Sequence, residues 1–384
     1  MPWKTMDVED QRVRFVVLAS QSEQSFSALC AEFGISRPTG YLWLGRYRER
    51  GVAGLCELSR RPRLSPQQTE ARLEAAVVAA RLSFPDWGAR KLAVLLARRG
   101  LHLPVTTIHR ILLRRGLVDE ADRQRPAVER FERAEPNQLW QMDFKGPLCK
   151  GEALGPLSVL DDHSRYLVAL EQLDSTSGEL VRERLQQAFV DCGVPEAMLM
   201  DHGTPWWGRQ APQGLTRLAL WLIRQGVELH FSRIRHPQTQ GKVERFHGEL
   251  QRAATRRGVP RLSVGRQDWL DGYRWEHNHL RPHEALAMAT PASRWKPSLR
   301  RYDPQPPEWQ YPEGARVLKV DTEGKIKLAD RHWTISLALA GERVQLKHIE
   351  ERVLVFYCRT LVRELDLARQ RSMIIDRCLD AEIS

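Results

Sequence analysis

The chain has 384 residues, which is long for one ordinary domain and typical of two to four. Hydrophobic residues at 42% and charged residues at 28% exclude a disordered chain, and no apolar run approaches the roughly 18 residues that a membrane span needs. The six cysteines lie far apart, with no CxxC pair and no matching CxxH, which argues against a zinc site and a disulfide framework and for a reducing cytosol. The charged beginning MPWKTMDVEDQRVRF lacks the apolar stretch of a signal peptide, so we expect a cytoplasmic protein without membrane contact.

The net charge of +11 is unevenly distributed along the chain. From Asp143 to Asp201 there are 5 basic and 11 acidic residues, a balance of −6. From His202 to Arg300 there are 17 basic and 7 acidic residues, a balance of +10. A charge that only served solubility would not separate in this way. An acidic pocket beside a basic surface is what a metal-using enzyme acting on nucleic acid requires.

The first segment, residues 1–60, has the pattern of a helix-turn-helix unit. A short helix, a GIS turn and a second helix follow one another, with Ser36 suited to the N-cap and Pro38 to the first turn. The second helix of such a unit enters the major groove of DNA, whereas an ordinary helical hairpin is the alternative. A high density of arginine favours DNA contacts. The predicted contact residues here are Arg37, Arg46, Arg48, Arg50, Arg60, Arg61 and Arg63.

Residues 61–120 predict a second helix-turn-helix unit. One amphipathic segment begins at a Ser65-Pro66 cap, and two further helices are separated at Leu103-Pro104. Two units in tandem indicate a bipartite DNA site. Residues 121–136 are polar and without periodicity, so we interpret them as a linker.

Residues 137–296 predict a mixed α/β domain. The order is three strands, a helix, a strand, a helix, a strand and a helix, and the segment WQMDF in the first strand alternates between two faces. A proline-rich linker at 297–313 follows. Short strands with glycine turns at 314–370 predict a small β-barrel, and we interpret 371–384 as a tail.

Three carboxylates lie at distinct places in the predicted order of strands and helices of the core. Asp143 lies in the first strand, Asp201 ends the fourth, and Glu244 lies on the helix after the fifth, at the edge of its buried face. Sites in open α/β sheets form at the carboxyl ends of strands. Oxygen ligands favour Mg²⁺ or Mn²⁺, and two such ions about 3.5–4 Å apart can serve phosphodiester chemistry. The alternative is that each carboxylate is an incidental cap or surface charge.

The segments WQMDF, LMDHGTPW and HPQTQGKVERFHGEL resemble the catalytic motifs of DDE insertion-sequence transposases, relatives of retroviral integrases with a ribonuclease H-like core. The likeness extends to the tandem helix-turn-helix units before the core, to the RWEHNHLRPHEAL segment after it and to the C-terminal barrel, so it covers nearly the whole chain. It implies that Asp143, Asp201 and Glu244 bind two Mg²⁺ ions, with Mn²⁺ as a substitute. It also implies binding of terminal inverted repeats, end cleavage, strand transfer into target DNA, and a bacterial, nucleoid-associated protein. Two departures are a spacing of 42 residues between Asp201 and Glu244, longer than in the best-known branch, and the lack of a preceding His/Cys module.

Two other functions stay open from sequence. One is a transposase-derived DNA-binding protein that has lost activity, and the other is a metal-dependent nuclease without strand transfer. Because an element has two ends, we expect DNA to drive formation of a homodimer or higher oligomer. The basic run Arg252, Arg256, Arg257, Arg261 and Arg266 is a candidate bridge between protomers or to DNA, with a solvated helix end as the alternative.

Several residues near the predicted site have weaker assignments. Lys242, Arg245 and Arg252 are predicted phosphate contacts. Asp161 and Asp162 favour a structural role in a hairpin turn over metal ligation. The adjacent Trp206 and Trp207 are suited either to stacking on an unpaired base or, for one of them, to core packing.

Overall fold

The chain divides into two compact units, Met1–Thr69 and Glu70–Ser384, in the computed structural model. The structure describes residues 8–21, 24–57, 69–118, 132–208, 214–232, 241–260 and 263–375. Within these ranges, no helix is both long and apolar enough to cross a membrane.

The first unit is a bundle of three helices. They are α1 (Val8–Gln21), α2 (Phe26–Glu32) and α3 (Arg37–Arg50), followed by a 3₁₀ turn at Gly51–Leu55. The Ser36 hydroxyl accepts a hydrogen bond from the Thr39 backbone amide, so the predicted cap is present at the start of α3. Gly40 lets α3 pack closely, because a Cβ atom there would lie 2.7 Å from the Cys30 sulfur. The predicted helix-turn-helix arrangement is confirmed.

The second unit begins with three more helices around Trp87, which is fully buried. They are α4 (Ala71–Ser83), α5 (Ala89–Ala97) and α6 (Val105–Arg114). The predicted Ser65-Pro66 cap lies outside the described residues, and α4 begins at Ala71. The separation of α5 from α6 at Leu103-Pro104 is as predicted.

The core has one five-stranded mixed sheet in the order β3-β2-β1-β4-β7. The strands are β1 (Trp140–Phe144), β2 (Leu157–Asp161), β3 (Leu167–Glu171), β4 (Ala197–Met200) and β7 (Glu228–Phe231). The first three pair antiparallel, whereas β4 pairs parallel with both β1 and β7. The helices are α7 (Gly178–Cys192), α8 (Arg217–Arg224), α9 (Gly241–Arg257) and α10 (Ser263–Trp275), and a small hairpin, β5 (Trp207–Gly208) and β6 (Gly214–Leu215), precedes α8. The predicted order of strands and helices in a mixed sheet is confirmed.

The C-terminal part is all antiparallel, but its described strands form open sheets instead of the closed barrel that the sequence predicts. One sheet has the order β14-β13-β12-β11-β8, and β9 pairs with β10. The strands are β8 (Arg316–Lys319), β9 (Lys325–Leu328), β10 (Arg331–Thr334), β11 (Arg343–Ile349), β12 (Arg352–Tyr357), β13 (Thr360–Asp366) and β14 (Arg371–Ile374). Strand β14 pairs with β13, so residues 371–374 are part of the sheet and not of a tail.

The proline-rich stretch 297–313 is not a free linker where it leaves the core. The Ser298 amide donates to the Cys192 carbonyl, and the Arg300 guanidinium donates to the carbonyls of Gln225 and Gly226. These backbone carbonyls end helices α7 and α8, where carbonyl groups lack intrahelical partners. Sequence composition hides this role because a proline-rich segment has the same composition whether it hangs free or lies along a surface.

Candidate active site

The first two carboxylates stand at the same end of neighbouring parallel strands. Gln141 of β1 pairs in register with Leu199 of β4, and continuing this register by two residues brings Asp143 level with Asp201. Asp143 is the second-to-last residue of β1, and Asp201 directly follows the final residue of β4. The carboxyl ends of parallel strands meet at one edge of the sheet, which is where sites in such folds form.

Asp201 is held by two donors from the loop that follows it. Its Oδ1 atom accepts the Gly203 amide at 2.8 Å and the Trp206 indole Nε1 at 2.5 Å. Trp206 is buried and stacks on Phe144 of β1 with ring centroids 5.6 Å apart. Trp206 is therefore a core residue that orients Asp201, and core packing is the correct alternative for it. Both donors bind the Oδ1 atom of Asp201, which leaves its Oδ2 atom able to face a ligand.

Glu244 completes the cluster from helix α9. Val243 and Phe246 on either side of it are buried, while the Glu244 side chain itself is exposed. The pKa of Asp143 is raised to about 7, first by burial and then by the negative charges of Asp201 and, more weakly, Glu244. Partial desolvation raises the pKa of Glu244, although its side chain is largely exposed. The repulsion felt by Asp143 means that the three carboxylates lie within electrostatic reach of one another.

A buried amide joins the strand that carries Asp143 to the helix that carries Glu244. Gln141 is 1% exposed, and its Oε1 accepts the Val243 amide at 3.3 Å. The amides of the first helical turn have no intrahelical acceptor, so Gln141 caps α9 from two residues before Asp143. Its Nε2 donates to Asp162 Oδ1 at 2.8 Å, and the Lys242 ammonium donates to the same oxygen at 2.5 Å. Sequence analysis missed Gln141, because one glutamine in a strand carries no pattern.

Lys242 forms an ion pair with the buried Asp162 of the same chain. The sequence predicts Lys242 as a phosphate contact and gives no sign of this partner. Asp162 is fully buried and also accepts the Arg133 amide. Asp161 accepts the amides of Asn137 and Ser164. Both aspartates act in the hairpin turn, as the sequence favours. Burial lowers the pKa of Lys242 to about 8 in spite of its pairing with Asp162.

His247 lies one turn beyond Glu244, beside Asp143. Its Nδ1 is 3.7 Å from Asp143 Oδ2, and its Nε2 is 3.0 Å from the Ser158 hydroxyl. Burial first, and then the charge of Lys145, lowers the pKa of His247 to about 3. The imidazole is neutral at pH 7 and adds no positive charge to compete with a cation for Asp143. The i, i+3 relation of Glu244 and His247 could have identified it from sequence.

The three carboxylates fit a site for divalent cations. All three side chains offer carboxylate oxygens, which hard cations such as Mg²⁺ and Mn²⁺ prefer. Burial first, and then the negative charges of Asp201 and Glu244, raises the pKa of Asp143, and a bound cation would offset those charges. The donors from Gly203 and Trp206 fix one carboxylate in advance.

The predicted DNA contacts differ in their surroundings. In α3, Arg37, Arg48 and Arg50 are exposed, whereas Arg46 is half-buried with its guanidinium 4.9 Å from the Trp43 ring. Arg60, Arg61 and Arg63 lie outside the described residues. On α9, Arg245 is exposed and Arg252 half-buried.

The basic run beyond Glu244 is bound within the chain at three of its positions, which corrects its prediction as a bridge. Arg256 donates to the Pro85 carbonyl, and Arg257 pairs with Asp86 and Glu276. Arg266 is 3% exposed and pairs with Glu152. Arginines that neutralise buried carboxylates are not available to phosphates. Arg261 lies outside the described residues.

Domain comparisons match this organisation. Homeodomain-like domain models match residues 6–56 and 39–112, and integrase core domain models match residues 133–237 and 225–291. The integrase matches contain all three carboxylates. The homeodomain-like matches cover α3 and reach α6.

The related proteins come from bacterial mobile elements. An uncharacterized 31.7 kDa protein of insertion element IS407 from Burkholderia multivorans is 27% identical over 54% of this chain and 74% of its own length. The transposase for transposon Tn552 from Staphylococcus aureus is 23% identical over 58% of this chain. This chain spans only 51% of the Tn552 protein and 44% of an IS476 protein from Xanthomonas euvesicatoria, which is 25% identical.

Two solved structures are similar to parts of the chain. The HTLV-2 integrase catalytic core domain in complex with magnesium covers 42% of this chain at 15% identity with a TM-score of 0.33. The simian T-cell lymphotropic virus intasome, in complex with the PP2A regulatory subunit B56 gamma, covers 79% at 16% identity with a TM-score of 0.36. The alignments include 97% and 99% of those chains.

Proposed function

Because the chain carries an integrase core domain behind homeodomain-like domains, we propose that it is a DDE transposase. It binds the terminal inverted repeats of its element, cleaves the DNA at the element ends, and joins the ends to target DNA. The observation that carries this proposal is the meeting of Asp143 and Asp201 at one sheet edge, with Glu244 close enough to affect the pKa of Asp143.

Asp143, Asp201 and Glu244 would hold two divalent cations, Mg²⁺ or Mn²⁺. Bound cations of this kind supply activation of an attacking oxygen and stabilisation of the leaving oxygen at phosphorus. The residues of the chain prepare the carboxylates for this role. Gly203 and Trp206 orient Asp201, Gln141 fixes the start of α9, and a neutral His247 stands beside Asp143.

The two reactions are phosphoester exchanges. In cleavage, the oxygen of water attacks phosphorus, and the departing strand ends in a 3′-hydroxyl. In joining, that 3′-hydroxyl attacks a phosphorus of the target, and the target strand leaves with its own 3′-hydroxyl. Neither step needs a covalent bond to the protein, which is consistent with a site built from carboxylates.

DNA binding is assigned to exposed arginines in the helix-turn-helix unit. Arg37, Arg48 and Arg50 lie on α3 with exposed side chains, and the second helix of such a unit enters the major groove. Arg245 is exposed next to Glu244 and would contact a phosphate beside the site. The active assembly is a homodimer or higher oligomer formed on paired DNA ends, since both ends must reach the same target.

The proposal is tested with Asp143→Asn, Asp201→Asn and Glu244→Gln in the full chain. Each variant keeps the size of the side chain but removes a negative charge, so end cleavage should fall by at least 1,000-fold, about 4 kcal/mol of activation energy. Gel-shift affinity for the terminal repeats should stay within threefold of the original. Asp174→Asn, at an exposed loop position, is the matched control and should cleave normally.

The products separate the alternatives. Cleavage without joining of the 3′-ends to a target plasmid would identify a metal-dependent nuclease. Repeat binding without any cleavage in Mg²⁺ or Mn²⁺ would identify a DNA-binding protein without catalytic activity. Full cleavage by one of the three variants would remove that residue from the site.

A further inference from the structure

A second group of metal-ligand side chains lies in the core, apart from the three carboxylates of the active site. Glu249 is on α9, His277 is in a π-helical turn at Glu276–Leu280, and His283 follows that turn. One ligand atom from each side chain lies within 4.8 Å of the others. Glu249 and His277 are 7% and 1% exposed, and His283 is half-buried.

The atoms that face one another lack hydrogen bonds. His277 Nε2 is 3.1 Å from the Arg165 carbonyl, which can only accept, so Nε2 carries the proton and Nδ1 holds a lone pair. Within the described part of the chain, His277 Nδ1 and His283 Nε2 have no hydrogen-bond partner, and Glu249 Oε2 makes no hydrogen bond but lies 3.2 Å from Arg281 Nε. Leaving a buried polar atom unpaired costs about 1–3 kcal/mol, so two such nitrogens at one place require an explanation.

The protonation states suit metal binding. Burial lowers the pKa of His277 to about 4 and that of His283 well below its ordinary value, so both imidazoles are neutral at pH 7. Burial acts to raise the pKa of Glu249, but Arg281 and Lys91 outweigh it, and the carboxylate is ionised. Two neutral imidazoles and one carboxylate are a donor set of catalytic zinc sites, with a further position left for water. The Arg165 carbonyl orients one ligand histidine through its other nitrogen.

We propose that Glu249, His277 and His283 bind one Zn²⁺ ion, separate from the cations of the active site. The ion would join α9, five residues beyond Glu244, to the segment that follows α10. Zinc therefore acts here as a structural tie behind the active site.

Two neighbouring cations limit the affinity. Arg281 Nε is 3.2 Å from Glu249 Oε2, and Lys91 Nζ is 3.8 Å from Oε1. Arg281 and Lys91 contact the Glu249 carboxylate from outside the proposed site, as polar groups usually do around ligating carboxylates. Their positive charges repel a bound metal ion and lower its affinity.

The test uses the full chain carrying Asp143→Asn and Asp201→Asn, which removes the other carboxylate site. Zinc is measured by mass spectrometry after purification with Zn²⁺ and desalting, and Co²⁺ is titrated while visible absorption is recorded. We expect about one zinc per chain and the absorption of a four-coordinate Co²⁺ site. Glu249→Gln and His283→Gln, each in the same background, should lose both signals.

His279→Gln is the matched control, because His279 is exposed on the same segment and is not in the group. It should keep one zinc. Circular dichroism shows which variants fold, and the unsubstituted ligand set decides the question even if a variant does not fold. Less than a tenth of a zinc per chain together with no Co²⁺ absorption would overturn the proposal. Retention of one zinc by folded Glu249→Gln and His283→Gln would also overturn it.

Discussion

A buried aspartate, Asp86, connects the loop between α4 and α5 to helix α9, which carries Glu244. Its Oδ1 accepts Arg257 Nε at 2.8 Å, its Oδ2 accepts Arg281 Nη1 at 2.7 Å, and the side chain is 1% exposed. The Arg256 guanidinium donates to the adjacent Pro85 carbonyl at 2.8 Å. These contacts predict that the charge of Asp86 keeps the second helix-turn-helix unit on the core.

The perturbation is Asp86→Asn, which keeps the shape and one carbonyl oxygen but removes the charge. Removing one partner of a buried ion pair costs about 3–5 kcal/mol. Arg257 keeps Glu276 and Arg281 keeps Glu249, so we expect the lower end, about 3 kcal/mol. That free energy corresponds to an increase on the order of 100-fold in the population of the undocked state.

Hydrogen exchange measured by mass spectrometry on the full chain is the suitable assay, since a chain with several domains has no single unfolding free energy. Backbone amides in residues 84–98 and 270–283 should exchange on the order of 100 times faster in Asp86→Asn. Asp271→Asn is the control: Asp271 is exposed and 3.8 Å from Arg274, so its loss should change stability by less than about 0.5 kcal/mol. Exchange of the Asp86 variant within threefold of the original would refute the reasoning.

Acid provides an independent check on the same residue. Burial alone would raise the pKa of Asp86, but Arg281 and Arg257 outweigh it and lower the pKa. A carboxyl group with a lowered pKa in the folded state stabilises the fold above its unfolded pKa of about 3.9 and loses that contribution as pH falls. The difference in exchange between the original and Asp86→Asn should therefore be full at pH 6 and shrink below about pH 4.

Three further predictions concern the active site and the DNA contacts. Gln141→Leu removes the cap of α9 and should lower DNA cleavage about 10- to 100-fold without weakening repeat binding. The control Gln187→Leu, at an exposed position, should have no effect on cleavage. Equal cleavage by the two variants would contradict the positioning role of Gln141. Because the pKa of Asp143 is raised to about 7, Mg²⁺ competes with a proton for this carboxylate below that pH. Calorimetry should show that the Mg²⁺ affinity decreases as the pH is lowered, by up to about tenfold per pH unit. Equal Mg²⁺ affinity at pH 6 and pH 8 would contradict this. Arg48→Ala should weaken gel-shift binding to all DNA and reduce the salt slope by about 1 if it contacts a phosphate; an unchanged slope would exclude that contact.

The sequence predicts the core of this protein well because periodicity and strand order are local signals. Short windows of sequence show three such signals: the alternation in WQMDF, Asp201 two residues before Gly203, and Glu244 beside Val243. The structure has the corresponding strands and helix. Parallel pairing of β1 with β4 then brings Asp143 and Asp201 to the same edge. The metal role of the three carboxylates stays a prediction.

The contacts that sequence analysis missed join residues far apart in the chain. Asp86 and Arg281 are separated by 195 positions, and Gln141 and Val243 by 102. A basic run such as that around Arg257 looks the same whether its partner is a phosphate or a buried carboxylate. Closure of the predicted barrel is not shown by the described strands, and sequence could not decide it for a related reason: strand pattern gives the number of strands, whereas closure depends on which edges pair.

Helix α9 connects these observations, because one helix carries groups with different tasks at helical spacing. Lys242 and Val243 meet the network of Gln141 and Asp162 at its start, while Arg257 meets Asp86 at its end. Glu244 lies between these two anchors, so a rotation or shift of α9 would move it relative to Asp143. The active-site geometry is therefore a property of how α9 is held at both ends, and not of the three carboxylates alone.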